Sequence, residues 1–183
     1  MTDDRVVRLD TDGRVTGTVG KEEAHRTPLI PHLAFSVFVF DLRGQLLLQR
    51  RSAEKTTFAG LWSNSCCSHP RPDEPLLASA RRRVREELGV TVDAFELKGG
   101  FWYRALDETG NGEHEYDLVL TCRIDPHDLD PDPHEVDEVV WVEPTAARSY
   151  SEGAPAPGLT PWLMPALEIA CGPVQDVAVD VLL

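Results

Sequence analysis

Residues 71–90 read RPDEPLLASARRRVREELGV. Asp73 and Glu74 stand where the positive end of a helix would begin, Pro75 falls in the first turn where its missing N–H leaves no bond unmade, and Gly89 supplies the stop. The spacing therefore predicts a helix that starts near Pro75 and ends at Gly89. Arginines and glutamates fill its second half. Such a pattern fits a solvated face held by pairs four apart, such as Arg83 with Glu87, or a row of carboxylates carried for chemistry.

Working outward, HLAFSVFVFDLRGQLLLQRR, residues 32–51, reads as a strand, a tight turn around Arg43 and Gly44, and a second strand. Its glycine and dense β-formers disfavour a buried helix. Three further strands are expected at Phe95 to Leu106, His114 to Ile124 and Glu138 to Val142, and TPWLMPALEIA, residues 160–170, has helical spacing behind a Thr-Pro start. Strands mixed with a central and a late helix predict an α/β (α+β) fold, a mixed β-sheet sandwiched between helices. DPHDLDPDPHEVDE, residues 125–138, reads as a solvated loop despite His127 and His134.

Composition narrows the function. A chain of 183 residues, 42% hydrophobic, suits one well-filled domain over 1–183. The excess of 31 acidic over 18 basic side chains, a net charge of −13, argues against nucleic acid and anionic membranes but leaves room for a small anion met by a local cationic pocket. No apolar run approaches a membrane span, and the acidic start MTDDRVVRLD is unlike a signal peptide, so a cytoplasmic protein is expected. Four cysteines, two of them adjacent, do not form a disulfide framework.

Glu74, seven residues, then Arg82, Arg83, Val84, Arg85, Glu86, Glu87, Leu88, Gly89 and Val90 resemble the Nudix box, with two departures. Ser68 replaces its first glycine, and Arg83 replaces the glutamate after the first arginine. Nudix hydrolases gather divalent cations on these carboxylates, so a guanidinium at 83 removes a hard oxygen ligand and repels the metal. Hydrolysis is disfavoured, whereas diphosphate binding is not.

KEEAH (21–25), PHLAFS (31–36), LWSNSCCSHP (61–70), the box, FWYRA (101–105) and GEHEYD (112–117) together resemble, in content and order, the type 1 isopentenyl diphosphate isomerases, a family built on the Nudix fold. That resemblance implies a Nudix-type sheet and conversion of isopentenyl to dimethylallyl diphosphate through a tertiary carbocation. It implies a site for Mn²⁺, Zn²⁺ or Mg²⁺ formed by His25, His32, His69, Glu113 and Glu115, and a substrate-linked Mg²⁺ held by Glu87 with the backbone oxygen of Cys67. Lys21, Arg51, Lys55 and Arg83 are implied as the cations around the diphosphate. Cys67 and Glu115 are implied as the proton handlers, either of which can act first, with Tyr103 hydrogen-bonding Glu115 or relaying its proton and Trp62 offering a π face to the cation. The partner is a small-molecule substrate; a monomer or weak dimer is expected.

The residues support part of this independently. On a strand Glu113 and Glu115 project to one side while His114 faces away. If residues 65–69 are extended, Ser65, Cys67 and His69 share a side and Cys66 points to the other. Two other readings compete. A Nudix diphosphohydrolase leaves Cys67, the histidines and Glu113 to Glu115 without a task, and a non-catalytic metal-binding protein predicts losses at these positions, all of which are filled.

Overall fold

The chain is described by a computed structural model covering residues 4–150 and 158–177. Nine strands run in chain order: β1 (Arg5–Leu9), β2 (Val15–Gly20), β3 (His32–Phe40), β4 (Leu46–Arg51), β5 (Trp62–Ser63), β6 (Cys66–Ser68), β7 (Glu96–Leu106), β8 (Gly112–Arg123) and β9 (Val136–Val142). Among the described residues four α-helices accompany them: α1 (Lys21–Ala24), α2 (Leu76–Leu88), α3 (Ala147–Tyr150) and α4 (Leu163–Cys171).

The central helix lies where its sequence places it, with Pro75 as N-cap and Gly89 as a left-handed C-cap at φ 71°. A side chain at Gly89 would also run into the backbone of Asp130, so both φ and space require glycine. Arg83 and Glu87 do form the pair four apart, but it is no solvated ornament, because the Glu87 side chain is 1% exposed.

The predicted hairpin at residues 32–51 forms and then splits. Its arms pair only at Phe40 and Leu46. Beyond that, β3 runs parallel to β8 on one side and antiparallel to β6 on the other, while β4 pairs with β5 and β9. The N-terminal hairpin of β1 and β2 joins the sheet where Arg8 meets His32.

Alternation along β3 and β8 divides the core. Leu33, Phe35, Val37 and Val39 of β3, with Tyr116, Leu118 and Leu120 of β8, pack against Leu76, Ala80, Val84 and Leu88 of α2. Phe38 and Val119 face the opposite way, beneath Leu163, Ala166, Leu167 and Ala170 of α4. The sheet is thus covered by a helix on each face, as expected, and each fully buried Leu or Phe contributes about 1.5–3 kcal/mol. The face beneath α4 does not stay apolar. Two strand steps from Phe38 lies Ser36, and two from Val119 lies Asp117, both buried. Further buried polar side chains, Glu113 and Glu115 of β8, lie along that continuation.

Candidate functional site

A cavity of ≈ 920 Å³ opens over this polar half of the sheet. Each strand contributes residues at period two: Ser36 from β3, Cys67 from β6, Tyr103 from β7, and Glu113, Glu115 and Asp117 from β8. His25, just past α1, and His69, just past β6, complete one end.

Ligand atoms of His25, His32, His69 and Glu115 lie within 4.8 Å of one another. Glu115 Oε1 is 2.8 Å from His69 Nε2, 3.1 Å from His32 Nε2 and 3.7 Å from His25 Nε2. The carbonyls of Lys21 and Ile30 accept hydrogen bonds of 2.7 Å from the Nδ1–H groups of His25 and His32. In the neutral rings this leaves the Nε2 lone pairs facing Glu115. His32 Nε2 also lies 3.2 Å from His69 Nε2. Acceptors crowded this closely need a cation among them, and imidazole with carboxylate suits a divalent metal ion. Burial, outweighing the pull of Glu115, lowers the His69 pKa to about 3. Burial alone would raise Glu115, but the three histidine rings around its carboxyl hold it well below the usual carboxylate range.

Glu113 stands beside this four-residue cluster, joined to it through Tyr103. Its Oε1 accepts from Thr57 Oγ1 at 2.9 Å, and its Oε2 accepts from Tyr103 OH at 2.5 Å. The same phenol lies 2.5 Å from Glu115 Oε2, so Tyr103 bridges the two carboxylates. His114 leaves the cluster, as alternation requires, and packs edge-on against Trp102.

Cys66 and Cys67 separate as expected. Cys66 is fully buried in the core against α2, whereas Cys67 lines the cavity. Ser65 departs from the alternation because β6 begins only at Cys66. Its hydroxyl donates to Leu47 O at 2.7 Å and accepts from Val39 N–H at 2.8 Å. Cys67 Sγ donates to Asn64 Oδ1 at 2.9 Å and lies 3.4 Å from Ser36 Oγ. Burial, with the nearby Asp117 carboxyl, pushes its thiol up to about 12, so it carries its proton at neutral pH.

Trp62 is not a cavity residue. It is 3% exposed and packs with Phe38, Leu46 and Leu48, because β5 turns it toward the core below α4. The indole on the cavity belongs to Trp162, the N-cap of α4. Its N–H points at Asn64 Oδ1 (3.1 Å) and Cys67 Sγ (3.2 Å), and its ring centre lies 5.7 Å from that of Tyr103.

Lys21, Arg51, Lys55 and Arg83 all line the cavity. Arg51 donates to the carbonyls of Thr57 (2.9 Å) and Phe58 (3.2 Å), with its guanidinium 5.5 Å from the Trp162 ring centre. Arg83 and Lys55 are both engaged by Glu87 and Glu135. Glu87 sits behind them rather than on the cavity wall, and its Oε2 accepts from Gln49 at 3.2 Å. It can meet a cation only if those partners shift.

Several cavity residues escaped the sequence reading: Ser36, Trp162, Glu135 and Asp117, with Asn64 beneath Cys67. Asp117 was within reach of it, since one more strand step beyond Glu113 and Glu115 lands on the same face. Its Oδ2 accepts from Ser36 at 2.7 Å, while its buried Oδ1 has no partner among the described residues. Burial and the Glu115 charge raise its pKa well above the carboxylate norm. In the acidic loop, His134 is exposed and pairs with Glu54 at 3.1 Å.

Comparison with known proteins gives concordant results. A NUDIX domain model matches residues 30–163. Over 173 residues the chain is 48% identical to an isopentenyl-diphosphate Delta-isomerase of Nocardia farcinica, covering 93% of this chain and 96% of the relative. A relative of the same name from Halorhodospira halophila is 42% identical over 160 residues, 87% of this chain and 90% of that one. Among solved structures, one from Deinococcus radiodurans superimposes with a TM-score of 0.69 at 19% identity, covering 88% of this chain and 96% of its own. A MutT protein from Methanosarcina mazei gives 0.61 at 22% identity, covering 75% and 91%. The last two likenesses concern the fold.

Proposed function

We propose that this chain, which belongs to the isopentenyl-diphosphate Delta-isomerases within the NUDIX domain family, moves its substrate's double bond between two proton-handling groups, Cys67 and Glu115, set on one sheet face. It interconverts isopentenyl and dimethylallyl diphosphate. The carrying observation is that the Cys67 thiol, the Glu113–Tyr103–Glu115 bridge and four cationic side chains line a single cavity.

Conversion adds a proton at C4 and removes one from C2, through a tertiary carbocation. An unactivated alkene is a very poor base, so donor and acceptor must flank it in a space that excludes water. Strand β3 separates Cys67 on β6 from Glu115 on β8, which supports placing the alkene between them. Tyr103 keeps Glu115 oriented and can pass a proton between it and Glu113. Trp162, in place of Trp62, offers its π face to the cation. Lys21, Arg51, Lys55 and Arg83 anchor the diphosphate, for which the planar fork of arginine is well shaped.

His25, His32, His69 and Glu115 would hold a divalent metal, Mn²⁺, Zn²⁺ or Mg²⁺, with Glu113 reaching it through a shift of Tyr103. Such an ion supplies fixed positive charge that orders the carboxylates. Glu87 and the Cys67 carbonyl would hold Mg²⁺ against the diphosphate. No helix among the described residues is long and apolar enough to cross a membrane. The free thiols Cys66, Cys67, Cys122 and Cys171 support a cytoplasmic setting, and we read residues 1–183 as one domain acting as a monomer or weak dimer.

Incubation of the purified protein with isopentenyl diphosphate and Mg²⁺, followed by analysis for dimethylallyl diphosphate and free phosphate, tests the reading. Isomer without phosphate release is expected. Phosphate release without isomer would instead identify a hydrolase.

A further inference from the structure

Glu135 belongs to the proline- and aspartate-rich segment that the chemistry above leaves without a task, yet it lines the cavity. Its Oε1 accepts from Arg83 Nη2 at 3.0 Å, and its Oε2 pairs with Lys55 Nζ. The same Arg83 Nη2 donates to Glu87 Oε1, which lies 3.9 Å from the same Lys55 Nζ. Two carboxylates from distant parts of the chain therefore converge on the same two nitrogen atoms. The backbone of Glu135 is itself pinned, since its N–H donates to Asp132 O at 3.0 Å and its carbonyl accepts from Ser52 N–H at 3.1 Å. Lys55 and Arg83 hold its carboxyl down at about 2 against the effect of burial, so it is charged at any working pH.

The charges decide what such a site admits. Lys55 and Arg83 supply two positive charges, Glu87 and Glu135 cancel them, and the half-exposed Glu86, 2.8 Å from Arg83 Nη1 and shared with Arg82, adds further negative charge beside them. A bare diphosphate entering here meets two cations already matched and two carboxylates that repel it. A diphosphate carrying a divalent cation meets the reverse. The carboxylates can turn to the metal, and the freed Lys55 and Arg83 can turn to the phosphate oxygens. Removing the Glu135 charge would leave Lys55 with only the Glu87 oxygen 3.9 Å away and would ease entry of the bare anion.

We propose that Glu135 is a specificity-determining residue that makes the site select metal-complexed diphosphate over the free anion. The inference rests on the reading that Lys55 and Arg83 face the diphosphate. The test is calorimetric binding of inorganic pyrophosphate, with and without added Mg²⁺, to the wild type, Glu135→Gln, Glu135→Asp and Arg83→Ala. In the wild type Mg²⁺ should tighten binding strongly. In Glu135→Gln the ratio of the two dissociation constants should fall at least about tenfold, or ~1.4 kcal/mol, chiefly through tighter binding of the free anion. Glu135→Asp keeps the charge and should keep the ratio, which a merely structural role for the side chain would not predict. A ratio in Glu135→Gln within about threefold of wild type overturns the proposal, as does loss of Mg²⁺ selectivity in Glu135→Asp. Arg83→Ala separates this failure from the underlying one. It should weaken pyrophosphate with or without Mg²⁺, and wild-type affinity in that variant would refute the placement of the diphosphate itself.

Discussion

Replacing each of two tryptophans by phenylalanine separates a cavity role from a core role. Trp162 is 1% exposed, its ring meets Phe58 edge-on at 5.2 Å between centres, and its N–H points at Asn64 and Cys67. Trp162→Phe keeps an aromatic ring but removes that N–H, worth about 1 kcal/mol as a neutral hydrogen bond. It also weakens attraction for a carbocation, worth about 2 kcal/mol for a desolvated indole and less for a phenyl ring. The hydrogen bond is already made in the resting protein, so its loss falls on stability, whereas the weaker π face costs the transition state about 1–2 kcal/mol and turnover should fall about 5- to 30-fold. KM should move less than turnover, because of the proposed diphosphate anchors only Arg51 stands over this ring and the cation exists only in the transition state. Trp62→Phe instead leaves a void among Phe38, Leu46 and Leu48. It should cost about 1–3 kcal/mol of stability with near-normal turnover. Initial rates of isomer formation at saturating substrate and urea unfolding of both variants are the assays. Normal turnover in Trp162→Phe with a large loss in a well-folded Trp62→Phe would refute the assignment.

Cys67→Ala should lower turnover by at least about 10³-fold, toward the upper range for positioned acid–base groups, while Cys66→Ala should cost at most about 1–2 kcal/mol of stability. Deuterium exchange at C2 and C4 of the substrate ranks the two, and an essential Cys66 with a dispensable Cys67 would reverse the reading. His69→Asn should remove one bound divalent metal per chain and abolish turnover with the fold intact, as read by elemental analysis and circular dichroism; full metal occupancy would count against the cluster. Hydrogen bonds from Arg82, aided by Ser79, hold the Glu74 carboxyl at about 2, below its ordinary 4.5. A depressed carboxylate stabilises the fold above its unfolded pKa and stops doing so as pH falls through the folded one. Glu74→Gln should therefore cost about 1–2 kcal/mol at pH 7 after solvent screening, a deficit that shrinks between about pH 4.5 and 2 in denaturant melts.

Local rules reached the elements and the strand faces. Pro75, Gly89 and the run of α2 carry their own boundaries, and the period of two that separates Glu113 and Glu115 from His114 also separates Cys67 from Cys66. What was illegible depends on partners far along the chain. The split of the hairpin follows from β8 and β9 claiming one arm each, and neither arm's residues announce that. Trp162 reads as the start of an apolar helix. It reaches the cavity because the segment before α4 is tied to β5, with Trp62 N–H donating to Gly158 O at 3.1 Å and Thr160 N–H donating to Trp62 O at 2.8 Å. Glu135 reads as one acid among many in a solvated loop, and only the fold sets it against Lys55 and Arg83.

The two tryptophans also explain why the site sits where it does on the sheet. Phe38, Val119 and Trp62 lie under α4, while Ser36, Asp117 and Cys67 continue onto the cavity beside Trp162. A carbocation needs an apolar wall that does not capture it and polar groups that deliver and remove protons, and water must be kept from both. Starting α4 at Trp162 supplies that boundary: beyond it the face is packed by helix, and before it the face borders the cavity. The helix N-terminus itself would be a poor neighbour for a cation, because its dipole is positive there. The indole of the N-cap residue lines the cavity, so on the proposed reading its electron-rich ring is what α4 presents to the carbocation.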